Sequence, residues 1–474
     1  MEKACFRVKN EGNRSRVSNL VSKPKQEKHR GVTFMAIIPQ KQLFKWDEIE
    51  ELGDLERLRL VLDCLPDEEL MRVLEKKRGK GRNDYPVRAI WNSIIAGVVF
   101  QHKTTESLRR DLMRNGQLRQ ICGFDITLGV KGVPSSSAYT RFLKGLMKHQ
   151  KEINRMFDNL VETLCEELPD FGKVLAIDGK AIESYARRRR DEDKKPYDGR
   201  RDIDADIGVK TYKGKNKDGS VWEKVKTWFG YKLHLIIDAN YELPVVFSVT
   251  KASRSEVKEG HILVDEMKHR VPVIIDRCVY FTADKGYDDT KLITKLWGEH
   301  EIKPIIGIRN TWQDGEETKL VEGMENVVYD YEGTVYCYSP EDYRRREMVP
   351  GGFEKDREAL KYLCPAKYYG VECQGRDACP IKSGVRIPLS EDRRVFTPVA
   401  RSSAKWKKLY NKRTSVERVN SRIDQVFGFE DHFIRGLKKM ELECSLALII
   451  MLAMALGRIK TKQKDKLRSL VQAA

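Results

Sequence analysis

Hydrophobic and polar positions follow three regimes along this chain. From Trp46 to about Leu168 the period is helical. Leu52, Leu55, Leu58, Leu60, Val61 and Leu65 form one apolar stripe, the spacing that gives a helix one buried face. Tyr85-Pro86 opens a strongly apolar segment from Val87 to Phe100, with proline at a helix start, where its missing N–H is harmless. Thr104 or Thr105 is placed to cap a helix over Glu106–Asn115, and Pro134-Ser-Ser-Ser137 to cap another over Ala138–Met147.

From Gly172 to Ile308 the pattern changes to strands and helices. Val174–Ile177 is a short apolar run, β-branched at two positions and closed by Gly179. It predicts a buried strand that ends on Asp178. A charged loop follows, from Arg187 to Lys217. Gly230–Asp238 and Leu243–Thr250 read as a β-hairpin turning at Asp238-Ala-Asn240. Next come a helix over Glu256–His269, an apolar strand from Val279 ending on Asp284, a helix over Asp289–Trp297 and a strand over Lys303–Ile308. Three strands, helix, strand, helix, strand predicts a mixed α/β sheet covered by helices.

Residues 309–399 break this regularity. They are rich in Tyr, Gly and charge and predict a small irregular insertion. Ser403–Arg422 returns to a single helical pattern. On it Tyr410, Arg413 and Glu417 recur at three- and four-residue steps and share a face. Leu442–Leu456 is almost wholly apolar but contains Glu443 and Cys444, so it reads as a buried helix and not a membrane span.

Charge changes the picture from fold to partner. The 474 residues carry 89 Lys and Arg against 71 Asp and Glu, a net charge of +18, which favours a polyanion and most simply nucleic acid. The expected units are a basic tail over 1–40, an all-α DNA-binding domain over 41–168, an α/β domain over 172–308 and 400–458, the insertion and a basic tail over 459–474. Arg109, Arg110, Arg114, Arg119, Arg141 and Lys144 on the polar faces of the first helices suit a helix-turn-helix-like reader of DNA or, equally, an ordinary bundle with charged faces. No N-terminal segment has the apolar core of a signal peptide. The ten cysteines are scattered, which suits a reducing cytoplasm without disulfides. Cys337, Cys364, Cys373 and Cys379 in the insertion are a candidate structural zinc set. They lack a CxxC pair, and buried thiols without metal are the alternative.

Two strands ending on aspartate, with a glutamate on a basic helix, supply three carboxylates from separate elements. Hard divalent cations favour such ligands. Asp178, Asp284 and Tyr410-x-x-Arg413-x-x-x-Glu417 resemble the DDE transposases of bacterial insertion sequences, in the branch with an insertion before the glutamate helix. The resemblance spans about Tyr85 to Arg458. It implies a ribonuclease-H-like catalytic domain in which Asp178, Asp284 and Glu417 bind two Mg²⁺ or Mn²⁺ ions. It also implies cleavage and strand transfer at double-stranded element ends and into target DNA, and a homodimer when assembled on DNA. The expected setting is the bacterial cytoplasm, on the nucleoid. Tyr410, Arg413, Arg418, Arg422, Lys180 and Lys285 are the candidate DNA contacts. The family signature continues with lysine seven positions after the glutamate; here that position is Asp424. A nuclease of the same fold that does not join DNA, and a non-catalytic DNA-binding derivative, are the alternatives.

Overall fold

The computed structural model describes residues 53–78, 85–186, 202–216, 218 and 220–469. Both predicted basic tails fall wholly or partly outside that set, and so do Arg187–Arg190.

The main sheet is built from β1 (Val174–Glu183), β2 (Asp206–Lys215), β3 (Val221–Asp238), β4 (Leu243–Lys251), β5 (Tyr280–Ala283) and β6 (Lys303–Ile306), in the order β2-β3-β1-β5-β6 with β4 on β3. β1 and β3 are antiparallel, whereas β1–β5 and β5–β6 are parallel. An antiparallel meander continued by parallel βα units, with helices covering the sheet, is the ribonuclease-H-like arrangement expected from the sequence.

Two strand predictions are corrected. β1 does not end at Asp178 but continues to Glu183. Residues past Asp178 keep pairing with β3, so hydrogen bonding sustains the strand after its apolar run stops. The charged loop is partly strand as well. Asp206–Lys215 pairs with Val221–Gly230, and on this ribbon the apolar Val209 is exposed, because no core selects for apolar residues there.

The helical segment follows its caps. Thr104 accepts from the Ser107 N–H and heads Thr105–Arg114; Ser135 accepts from the Ala138 N–H and heads Ser136–Leu146. The apolar Val87–Val99 helix is buried nearly all round. These helices and the sheet share one hydrophobic core. At its centre is the Leu437–Lys460 helix, which packs on the Gln150–Glu167 and Leu55–Leu62 helices and on β4. By length and composition this helix is able to cross a membrane, yet 94% of its most apolar window is buried inside the fold.

The insertion is more regular than its sequence suggests. β7 (Lys319–Leu320), β8 (Val327–Tyr329), β9 (Val335–Tyr338) and β10 (Arg345–Glu347) form one antiparallel sheet. β11 (Val349–Glu354), β12 (Ala359–Leu363) and β13 (Gly384–Pro388) form another. The two cover a separate core that includes Trp297, Tyr329, Tyr362 and Phe396. The strands are so short that no period-2 run shows in sequence. Cys337, Cys364, Cys373 and Cys379 all join this core or pack against it. The Asn326 amide donates to Cys379 Sγ at 3.7 Å, and Arg346, across from Cys337, donates to the Glu372 carbonyl at 2.7 Å. Burial pushes the Cys337 thiol up to about 11, with the other three cysteines adding to the effect. All four are free thiols. Among the described residues no group of three His, Cys, Asp or Glu side chains stands in metal-holding geometry.

Candidate active site

Strand register brings the two aspartates together. Ile177 on β1 is level with Ala283 on β5 in the parallel pairing, and each is followed directly by its aspartate. Past Ala283 the β5 chain turns away, so a cleft opens on that side of Asp178. The Asp284 carboxylate caps the turn, accepting from the Gly286 N–H at 2.8 Å. Gly286 has no room for a side chain. A Cβ there would stand 2.8 Å from Asp284 Oδ1 and 3.0 Å from Glu256 Oε2.

The predicted Ser403–Arg422 helix is two helices, Ala404–Asn411 and Thr414–Phe427, broken at Lys412-Arg413. Tyr410 therefore ends one and Glu417 begins the next. The break still delivers both to the cleft, where Asp178, Asp284, Glu417, Tyr410, Arg413 and Lys285 line a cavity of about 1200 Å³. Tyr410 stacks on Trp406 with ring centroids 4.7 Å apart. Its hydroxyl fills the space beside Gly307, 2.7 Å from where a Cβ would be. Glu417 is 53% exposed and accepts from Arg413 at 2.7 Å.

Burial pushes the Asp178 carboxyl up to about 6, the negative charges of Asp284 and Glu256 add to this, and Lys210 opposes it. The Asn420 amide donates to Asp178 Oδ2 at 3.1 Å. Asn420 stands one helical turn past Glu417, a spacing visible in the sequence but passed over there.

The other predicted DNA contacts are not brought into the cleft. Lys180 donates to Asp424 at 2.5 Å. Arg418 and Arg422 bind Glu242 at 2.7 and 2.8 Å, at the β3–β4 turn. A buried carboxylate there needs cations, and it takes the two nearest arginines. The departure at position 424 thus has a local counterpart: the lysine lies on β1 and the acid on the helix.

Sequence reasoning missed Glu256. It begins the Glu256–Arg270 helix behind the Ser255 cap, lies 3.5 Å from Lys232 Nζ and would touch a Cβ at Gly179 at 3.1 Å. A helix cap directly before an acid was its signal. Lys210, Trp222 and Arg309 are also in the cleft wall; Lys210 lay in the segment read as a charged loop, Trp222 in the unassigned stretch before Gly230 and Arg309 at the start of the insertion. His234, two positions past Lys232 on β3, stays out of the cleft and is bonded to Thr250 at 2.9 Å.

The donor set suits a hard divalent cation. Three carboxylates from separate elements face one cleft, and the one that is buried carries an excess of negative neighbours that a cation would relieve. They are not closed into a ligand set in this conformation, because Glu417 is turned to Arg413. Breaking that pair is cheap, since exposed i,i+4 ion pairs contribute only about 0.3–0.5 kcal/mol.

A ribonuclease-H-like domain presenting carboxylates at the ends of adjacent parallel strands, with a third from a late helix, defines a class of enzymes acting on phosphodiesters. Within that class the assignment is specific. The transposase DDE domain model matches residues 169–453, and the chain belongs to that family. Among solved structures, the chain is similar to a piggyBac transposase synaptic complex with hairpin DNA determined by cryo-EM. Identity is 11%, coverage is 88% of this chain and 79% of that one, and the TM-score is 0.34. A search of curated proteins returns no match.

Proposed function

We propose that this transposase binds the ends of an insertion sequence as double-stranded DNA and catalyses metal-dependent strand cleavage followed by strand transfer into target DNA. The observation that carries the reading is the side-by-side emergence of Asp178 and Asp284 from in-register parallel strands, with Glu417 in the same cleft. Asp178, Asp284 and Glu417 would hold two Mg²⁺ or Mn²⁺ ions. Such ions, when bound, activate an oxygen nucleophile and stabilise the leaving oxygen.

The remaining steps belong to the chain's own residues. Glu417 would turn from Arg413 to help hold the cations, which would free the guanidinium as a bidentate donor to a phosphate. Lys285, one residue past Asp284, and the Tyr410 hydroxyl hold the strand on either side. Asn420 orients Asp178. Synapsis of two ends requires two protomers, so the assembled form is a homodimer on DNA, working at the nucleoid in the cytoplasm.

The test is cleavage and joining of a labelled duplex carrying the element's end, with Mg²⁺ or Mn²⁺, by wild type and Asp284→Asn. The expected result is cut and joined product from wild type and neither from the variant, with duplex binding retained. Cleavage without joining would make the protein a nuclease. Binding without chemistry in wild type would make it a non-catalytic derivative. Equal activity in both proteins would overturn the site.

A further inference from the structure

The β2–β3 pair extends well beyond the sheet. β3 meets β1 only from Gly230 and β4 only from Tyr231, whereas Val221–Phe229 pair with β2 alone. Val221–Thr227 are all exposed. A bare two-stranded ribbon is marginal in water, so this one is pinned at its base. Trp228 is buried over Gly208, where a Cβ would come within 2.2 Å of the ring, and its indole donates to the Tyr231 carbonyl at 3.1 Å.

Alternation sorts the ribbon's two faces. Trp222, Lys224, Lys226 and Trp228 share one face of β3, level with Gly214, position 212, Lys210 and Gly208 of β2. Trp222 lies over Gly214 as Trp228 lies over Gly208, with a Cβ at Gly214 meeting the ring at 2.5 Å. Two tryptophans thus frame Lys210, Lys224 and Lys226. Glu223 falls on the opposite face; on the lysine face the one described acid of the two strands is Asp206 at the base, level with Gly230 and held by Ser253. Lys210 and Lys226 are directly opposite, a like-charge pairing that weakens a ribbon. Trp222, near the tip, and Lys210, in the middle of the ribbon, both line the wall of the catalytic cleft that also holds Asp178.

We infer that this ribbon face is a DNA-binding arm, its lysines on backbone phosphates of the duplex that leads into the cleft and Trp222 against the strand at the cleft mouth. The charge is complementary, and a two-stranded ribbon fits the major groove. From Trp222 to Trp228 the arm spans about 20 Å at 3.3 Å per residue, close to six base-pair steps. The inference rests on the proposed function for its choice of DNA and adds the surface that holds it.

The experiment is fluorescence anisotropy of a labelled duplex carrying the element's end, titrated with full-length protein across a salt series. The proteins are wild type, Lys224→Gln/Lys226→Gln and Asp284→Asn. Each lost phosphate contact removes about 0.9 from the slope of log affinity against log salt. The double variant is therefore expected to bind about tenfold more weakly at moderate salt with a slope smaller by nearly two. Its melting temperature without DNA should be equal or higher, because the Lys210–Lys226 repulsion is relieved. Wild-type affinity and slope in the double variant would overturn the arm. Asp284→Asn separates the readings: cleavage lost there while the double variant binds normally refutes the arm alone, and weakened binding in the double variant while Asp284→Asn still cuts refutes the catalytic site alone.

Discussion

Lys180 and Asp424 offer a direct test of how this protein spends its charge. The ammonium and carboxylate are 2.5 Å apart, with side chains only 11% and 19% exposed. Bonds to charged groups contribute about 1.5–3 kcal/mol net, and losing one partner of a fully buried pair costs about 3–5 kcal/mol. Partial access to water brings the expected cost of Lys180→Met or Asp424→Ala down to about 2 kcal/mol each. The double variant should cost about 2 as well, not 4, which leaves a coupling of about 2 kcal/mol in a double-mutant cycle. Urea unfolding followed by hydrogen exchange of the β1 amides is the suitable assay, because the insertion has its own core and melts on its own terms. Additive costs would refute the pairing. So would a Lys180→Met protein of unchanged stability but weaker DNA binding, since lysine would then be a phosphate contact, as its position near Asp178 suggests in sequence.

Gly286→Ala tests the packing of the carboxylates. Its Cβ would press on Asp284 Oδ1 and Glu256 Oε2, and a displacement approaching 1 Å at a reacting centre costs about 10²-fold in rate. Cleavage should fall by about that factor with little change in melting temperature, and near-wild-type cleavage would contradict the crowding. Glu443 gives a pH signature. Burial raises its carboxyl from the usual 4.5 to about 7, where it faces a cavity of about 180 Å³ lined by Ile94, Tyr139 and Phe427. Below pH 4.5 both folded and unfolded chains keep the proton. Between 4.5 and 7 only the unfolded chain loses it, so stability falls as pH rises and levels off above 7, by at most about 3 kcal/mol. Glu443→Gln should therefore stabilise the protein at pH 8 and not at pH 4; the same gain at both would refute this in thermal denaturation.

The succession of inner strands and helices was legible because those strands are buried on both faces and read as apolar runs. The aspartates were legible because each interrupts such a run at a matching point, and in-register pairing turns that coincidence into contact. What sequence could not give was hidden for identifiable reasons. β2 and the outer half of β3 stand out from the core, with Val209, Val221 and Val225 exposed, so no hydrophobic alternation marks them. The insertion's strands are too short for a period to show. The helix break at Lys412-Arg413 has no proline or glycine to announce it. The pairing of Arg418 and Arg422 with Glu242 was not legible, because a sequence shows an arginine's helix and not the distant acid it meets.

That last point bears on where the positive charge for DNA resides. The net excess of +18 is not concentrated on the catalytic helix, where the family's signature lysine is replaced by Asp424 and the neighbouring arginines are held by Glu242. Lys180 is consumed by Asp424. The cations that face the cleft are instead Arg413, Lys285, Arg309, Lys232 and Lys210, and the last belongs to the ribbon. The helix that contributes Glu417 is therefore locked to the sheet by its charged side chains. A rigid helix aims the Glu417 carboxylate better than one whose other residues must also grip DNA. With Lys180, Arg418 and Arg422 engaged, the proposed β2–β3 arm and the cations at the strand ends would supply the phosphate contacts for DNA entering the cleft.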